Sequence, residues 1–127
     1  MILGVGTDIV STARIEAAMQ RHGDAFAQRI LSTQELVEFA TQAHPARFLS
    51  KRFAAKEAFA KATGHGLRHP ISLRKITVGH DDLGKPHFLF DVELAAYLQQ
   101  LGVTRHHLSI SDERDSAVAF VILEGGG

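Results

Sequence analysis

The sequence contains no cysteine. That excludes a disulfide framework, a thiol nucleophile and thiolate metal sites, and it suits a reducing compartment. An excess of one charge is also missing, because fourteen Lys and Arg balance fourteen Asp and Glu. No global field draws the chain to nucleic acid or to an anionic membrane, so any basic surface must be local. No segment reaches the roughly 18 apolar residues of a membrane span, and no basic N-terminal region precedes an unbroken hydrophobic stretch. We therefore expect a cytoplasmic protein with no nucleic-acid partner and no membrane span. Internal repeats and low-complexity linkers are absent too, and 127 residues with 45% apolar content suit one domain over residues 1–127 with a modest core.

Several catalytic signatures are likewise missing. There is no G-x-S-x-G turn for a serine hydrolase, and no H-E-x-x-H or compact histidine pair on one helix face for zinc. Gly4-Val-Gly6 is neither a dinucleotide fingerprint nor a Walker loop, and it reads as close packing against another element.

What is present predicts an α+β fold, a largely antiparallel sheet packed with helices. Residues 2–10 are apolar and β-branched and predict a buried strand, with Asp8 at its end. Ser11 or Thr12 caps a first helix that Gly23 stops, and a short second helix covers Ala25 to Leu31. Ser32-Thr-Gln-Glu35 fits a capping box for a third helix. Pro45 opens the longest helix, which ends at Gly64. From Leu73 the period changes to two, with a turn at Asp81-Asp-Leu-Gly-Lys-Pro86 between two strands. Asp91 caps a last helix over Val92 to Leu101, and strands follow over His106 to Ser111 and Ala117 to Leu123. The final strand is apolar at both alternating sets of positions, so either helices cover both sheet faces or one face packs against copies of the chain.

The chemistry concentrates in Arg52-Phe-Ala-Ala-Lys-Glu-Ala-Phe-Ala-Lys-Ala-Thr-Gly64. Glu57 and Lys61 lie one helical turn apart on one face, which alone describes a solvated pair worth only ~0.3–0.5 kcal/mol. The alanines around them would let a strand or ligand approach. With Asp8, two carboxylates and an ammonium suffice for a hard cation and phosphate oxygens. Gly64-His-Gly66 reads as a helix stop, and Lys85 as a turn lysine able to hold a phosphate. His107, Ser109 and Ser111 form a polar row on one strand face, while Arg14 and Arg21 share a helix face, with Arg29 nearby, that would attract an acidic helix.

Taken together, Gly4-Val-Gly-Thr-Asp-Ile-Val10, Ala13-Arg-Ile-Glu16, Arg47 to Ala58, Lys61, Gly84-Lys-Pro86 and His107 to Glu113 resemble the holo-acyl-carrier-protein synthase family, the small bacterial 4′-phosphopantetheinyl transferases. The resemblance implies transfer of phosphopantetheine from coenzyme A to a serine of apo acyl carrier protein in fatty-acid and lipid biosynthesis, leaving adenosine 3′,5′-bisphosphate. It also implies Mg²⁺ and a homotrimer with sites at subunit interfaces. Asp8 and Glu57 would bind the metal, with Lys61 on the same phosphates. Arg52, Gly64, Lys85, His107, Ser109 and Ser111 would hold the nucleotide, and Arg14 and Arg21 would meet the carrier. The proton acceptor stays open between Glu57 and a metal-bound water. Two other classes remain: a non-catalytic carrier-protein- or nucleotide-binding oligomer, and a Mg²⁺-dependent nucleotide phosphohydrolase.

Overall fold

The computed structural model describes residues 1–126. Among these residues the chain runs β1 (Ile2–Ser11), α1 (Thr12–His22), α2 (Asp24–Ile30), α3 (Thr33–Phe39), α4 (Pro45–Thr63), β2 (Ile76–His80), β3 (Pro86–Phe90), α5 (Val92–Gln100), β4 (Val103–Asp112) and β5 (Ser116–Gly125), with one 3-10 turn at Leu73–Lys75. Strands β1, β5 and β4 form an antiparallel sheet in that order, and β2 pairs with β3 as a separate antiparallel ribbon. The expected α+β architecture with a largely antiparallel sheet is what forms.

Local chemistry accounts for the helix ends. The Ser11 side chain accepts from the Arg14 amide and caps α1, and both halves of the Ser32/Glu35 capping box are in place at α3. Pro45 sits in the first turn of α4, and Gly64 ends that helix at φ 79°, a left-handed conformation that favours glycine. Asp91 caps α5 by accepting from the Leu94 amide at 2.8 Å. One boundary differs in a way that bears on the site. Strand β1 does not end near Asp8 but continues to Ser11, because β5 supplies partners along its whole length; Asp8 therefore lies inside the ladder, opposite Ala119.

Helix α4 is the spine of the molecule, with Ala54, Ala58 and Ala62 buried against the sheet. The two early glycines follow from that contact. A Cβ on Gly4 would lie 1.8 Å from the Ala62 carbonyl oxygen, and one on Gly6 would lie 2.0 Å from that of Ala58, so no side chain fits at either position. Ala117, Ala119, Val121 and Leu123 fill the same sheet face and are buried. The opposite face is open, with Val5, Ile9, Val118 and Phe120 all exposed. Helices thus cover one face of the sheet rather than both.

Candidate functional site

Alternation along β1 points Gly4, Gly6, Asp8 and Val10 toward α4. With the glycines bringing strand and helix into contact, Asp8 reaches Lys61, two turns along α4 from Ala54. The Lys61 ammonium donates to Asp8 Oδ1 at 2.9 Å and to the Thr7 carbonyl at 3.0 Å. The two side chains differ in accessibility, 17% for Asp8 and 55% for Lys61, so the acid is the more enclosed of the two. The one-turn pair expected between Glu57 and Lys61 does not form. Among the described residues the Glu57 carboxylate has no hydrogen-bond or ion-pair partner, and the lysine is drawn across to the strand instead.

Asp8 and Glu57 line one cavity of ≈ 330 Å³, which Arg14, Ile15 and Phe53 help to wall. Burial pushes the Glu57 carboxyl above the usual carboxylate range, the negative charge of Asp8 pushes it further, and Lys61 opposes both. Two acids facing one space with their repulsion only partly neutralised make a setting that a cation would relieve. Among the described residues no cluster of three or more His, Asp or Glu side chains stands ready to hold a metal. Two oxygen donors with open positions nevertheless match Mg²⁺, which is held by one or two carboxylates while phosphate and water oxygens complete its shell. The residues present fit that ion.

The other expected site residues are distributed as follows. Arg14 lines the cavity, and Arg21 is exposed in the last turn of the same helix. Gly64 lies three residues beyond Lys61, at the end of α4. Lys85 and His107 share a second cavity of ≈ 240 Å³ with Asp81, His87 and His106. His107 also pairs with Glu124 on the open sheet face. Ser109 and Ser111 lie exposed on that same side of β4. A larger cavity of ≈ 420 Å³, walled in part by Glu16, Met19, His44, Arg47 and Arg114, holds none of the expected residues.

Arg52, expected to hold a nucleotide, has a side chain that is 5% exposed; it donates to Glu38 at 3.3 Å and lies 3.6 Å from Glu35. Its guanidinium also stacks over Phe48, 4.0 Å from the ring centre. It belongs to a buried network that sequence reasoning missed. Lys56 Nζ, fully buried, donates to Glu35 Oε1 at 2.5 Å, to the Ile30 carbonyl at 2.7 Å and to the Leu73 carbonyl at 3.0 Å. The capping box was the available signal, since it fixed Glu35 near a helix start; nothing in the spacing named Lys56 as its partner.

Comparisons with known proteins follow this geometry closely. The family model of the 4′-phosphopantetheinyl transferase superfamily matches residues 4–121. A holo-[acyl-carrier-protein] synthase of Nitrosospira multiformis is 57% identical over 124 residues, spanning 98% of this chain and 99% of that one. The crystal structure of holo-[acyl-carrier-protein] synthase from Neisseria meningitidis superposes with a TM-score of 0.95 at 52% identity, covering 98% of this chain and 99% of the other. A holo-(acyl-carrier-protein) synthase from Bacillus anthracis, solved in complex with CoA (3′,5′-ADP), superposes with a TM-score of 0.82 at 36% identity, covering 99% of each chain.

Proposed function

This chain belongs to the 4′-phosphopantetheinyl transferase superfamily, and from that premise we propose that it transfers the 4′-phosphopantetheine arm of coenzyme A to a serine hydroxyl of an apo acyl carrier protein. It is an enzyme, a phosphopantetheinyl transferase acting as a holo-[acyl-carrier-protein] synthase. The observation that carries the reading is the convergence of Asp8 and Glu57 from a strand and a helix onto one cavity, with Lys61 bonded to Asp8. In the reaction the serine oxygen forms a bond to the phosphorus that bears the pantetheine. The bond between that same phosphorus and the bridging oxygen breaks, and adenosine 3′,5′-bisphosphate leaves with the electron pair on that oxygen.

Each residue has a distinct task. Asp8 and Glu57 would hold Mg²⁺, which when bound neutralises charge on the pyrophosphate. Lys61, with its amine beside Asp8, supplies a second positive charge where the leaving phosphate gains negative charge. A Glu57 oxygen not used on the metal faces the same cavity and would take the serine proton. Ile15 and Phe53 form an apolar wall beside these groups and limit water there. Arg14 and Arg21 are positioned on α1 to meet an acidic helix of the carrier protein.

The open apolar face supports the further reading that the enzyme works as a homotrimer. Exposed Val5, Ile9, Val118 and Phe120 would be covered by neighbouring copies. Lys85 and His107 of one copy would then approach the nucleotide end of coenzyme A bound at another copy's acids. We place the activity in the cytoplasm, in fatty-acid and lipid synthesis.

Mass spectrometry of apo carrier protein incubated with the enzyme, coenzyme A and Mg²⁺ tests the proposal. A phosphopantetheine adduct on serine is expected, with adenosine 3′,5′-bisphosphate released in equal amount. Nucleotide hydrolysis without an adduct would make the chain a phosphohydrolase. An unchanged carrier would make it a binding protein.

A further inference from the structure

We propose that the buried Glu35–Lys56 pair is a positioning device for Glu57, fixing the rotation and height of α4 so that the two metal-binding acids face each other. The inference rests on the reading of Asp8 and Glu57 as the Mg²⁺ ligands. Neither Glu35 nor Lys56 touches the catalytic cavity, and both are fully buried.

The pair is joined to more partners than a simple ion pair needs. The Lys56 ammonium uses its three donors on Glu35, the Ile30 carbonyl and the Leu73 carbonyl. The Glu35 carboxylate in turn accepts from the Ser32 amide at 3.0 Å and the Val78 amide at 2.9 Å. One side chain of α4 is thereby tied to the end of α2, the cap of α3, the 3-10 turn and β2. Hydrogen bonds are directional, whereas the alanine face of α4 against Gly4 and Gly6 limits the separation of helix and strand without fixing the helix's rotation.

Stability alone is a poor reason for this arrangement, because exchanging a buried ion pair for apolar side chains of similar volume is often neutral or favourable. What such a pair supplies is one register. Lys56 and Glu57 are consecutive and project about 100° apart around the helix, so anchoring the first aims the second. A helix rotation of about 20° would sweep a side-chain tip by roughly 2 Å. Mg²⁺ demands oxygen distances close to 2.0–2.1 Å in near-octahedral geometry, so a shift of that size removes a ligand.

The test is the double variant E35L/K56M in the full chain. Mn²⁺ binding is followed by water-proton relaxation, thermal melting by circular dichroism, and turnover as a function of Mg²⁺ concentration. We expect a lower melting temperature, because the Ser32 and Val78 amides and the Ile30 and Leu73 carbonyls lose their partners, with the variant still folded at the assay temperature, a Mn²⁺ dissociation constant raised at least about tenfold, and a matching rise in half-saturating Mg²⁺ that exceeds the fall in kcat. If E35L/K56M does not fold, E35Q/K56Q carries the same readout. Ile76→Val, a buried change on β2 beside the network, should lower the melting temperature without moving Mn²⁺ affinity. A folded double variant that binds Mn²⁺ like the parent overturns the positioning role. A parent whose Mn²⁺ binding is unaffected by Asp8→Asn overturns the metal reading beneath it, and the two failures are separately visible.

Discussion

Helix α4 carries two lysine–carboxylate pairs of opposite character. Lys56 and Glu35 are both fully buried, and every donor of the ammonium is engaged by protein. Asp8 lines a cavity with Glu57, which has no protein partner, and its own partner Lys61 is more than half exposed. Burial lowers the Lys56 pKa, and Glu35 works against that shift. At the open site burial and Asp8 together raise the Glu57 pKa. The contrast teaches where chemistry can occur on this helix. A lysine whose donors are all satisfied from within has nothing left for a substrate, and the pair five residues along has a carboxylate beside it with no protein partner.

Breaking the buried pair on one side should produce the largest effect. Lys56→Met leaves the buried Glu35 carboxylate with Arg52, 3.6 Å away, as its remaining cation, and strands the Ile30 and Leu73 carbonyls, at a cost of about 3–5 kcal/mol. Urea denaturation measures it, and a loss below about 1 kcal/mol would put the two pairs on the same footing. The open site should respond in the reverse sense. Asp8→Asn or Glu57→Gln should lower turnover about 10²–10³-fold, equivalent to ~2.7–4 kcal/mol of transition-state stabilisation, with little change in the urea midpoint. Normal rates in both variants would remove the assignment of these acids.

The contact between β1 and α4 links the two regions, and it can be sharpened with one methyl group. Gly6→Ala would put a Cβ 2.0 Å from the Ala58 carbonyl oxygen, where neither backbone can yield cheaply. Overpacking of this kind costs about 1–3 kcal/mol. Because β1 must lift away from α4 to accommodate it, Asp8 recedes from Lys61 and Glu57, and turnover should fall with stability. The same change at Gly84, where a Cβ meets open space at positive φ, should leave turnover unaffected by any such separation.

How legible this was in the sequence depended on the range of the signal. Ser32 and Glu35, Pro45 and Gly64, and Asp91 mark helix ends through chemistry confined to a few residues, and each stands where that chemistry requires. The doubly apolar final strand indicated that both sheet faces seek cover, without saying which one the helices take. Side-chain partners chosen across the fold were not legible. Lys61 prefers Asp8, 53 residues away, to Glu57 one turn away, because tertiary placement outweighs a helical pair of a few tenths of a kcal/mol. The partners of Arg52 were illegible for the same reason, since Glu35, Glu38 and Phe48 are gathered around it only by the fold. Asp8 could be singled out from composition and position, but its place within a paired strand depended on β5, more than a hundred residues later.

Away from both pairs, His106 is half-buried and held by one protein hydrogen bond. Its Nε2 accepts from the Phe88 amide at 3.0 Å, which joins the β2–β3 ribbon to β4, and the ring lies against Phe88 and Phe90. Accepting at that nitrogen requires the neutral ring. Burial lowers the His106 pKa, and the nearby positive charges of His87 and His107 lower it further. A base with a folded pKa below its unfolded value takes up its proton first in the unfolded chain. Its contribution is therefore complete at neutral pH, shrinks as pH falls through about 6.5, and levels off below the folded value. His106→Gln keeps an acceptor without a titration, so the fall in melting temperature between pH 7 and pH 5 should be shallower in the variant than in the parent. The effect is the smallest of these, bounded by the ~0.5–1.5 kcal/mol of a neutral hydrogen bond, and identical slopes in the two proteins would mean that the ribbon is held by Glu35 and its apolar contacts alone.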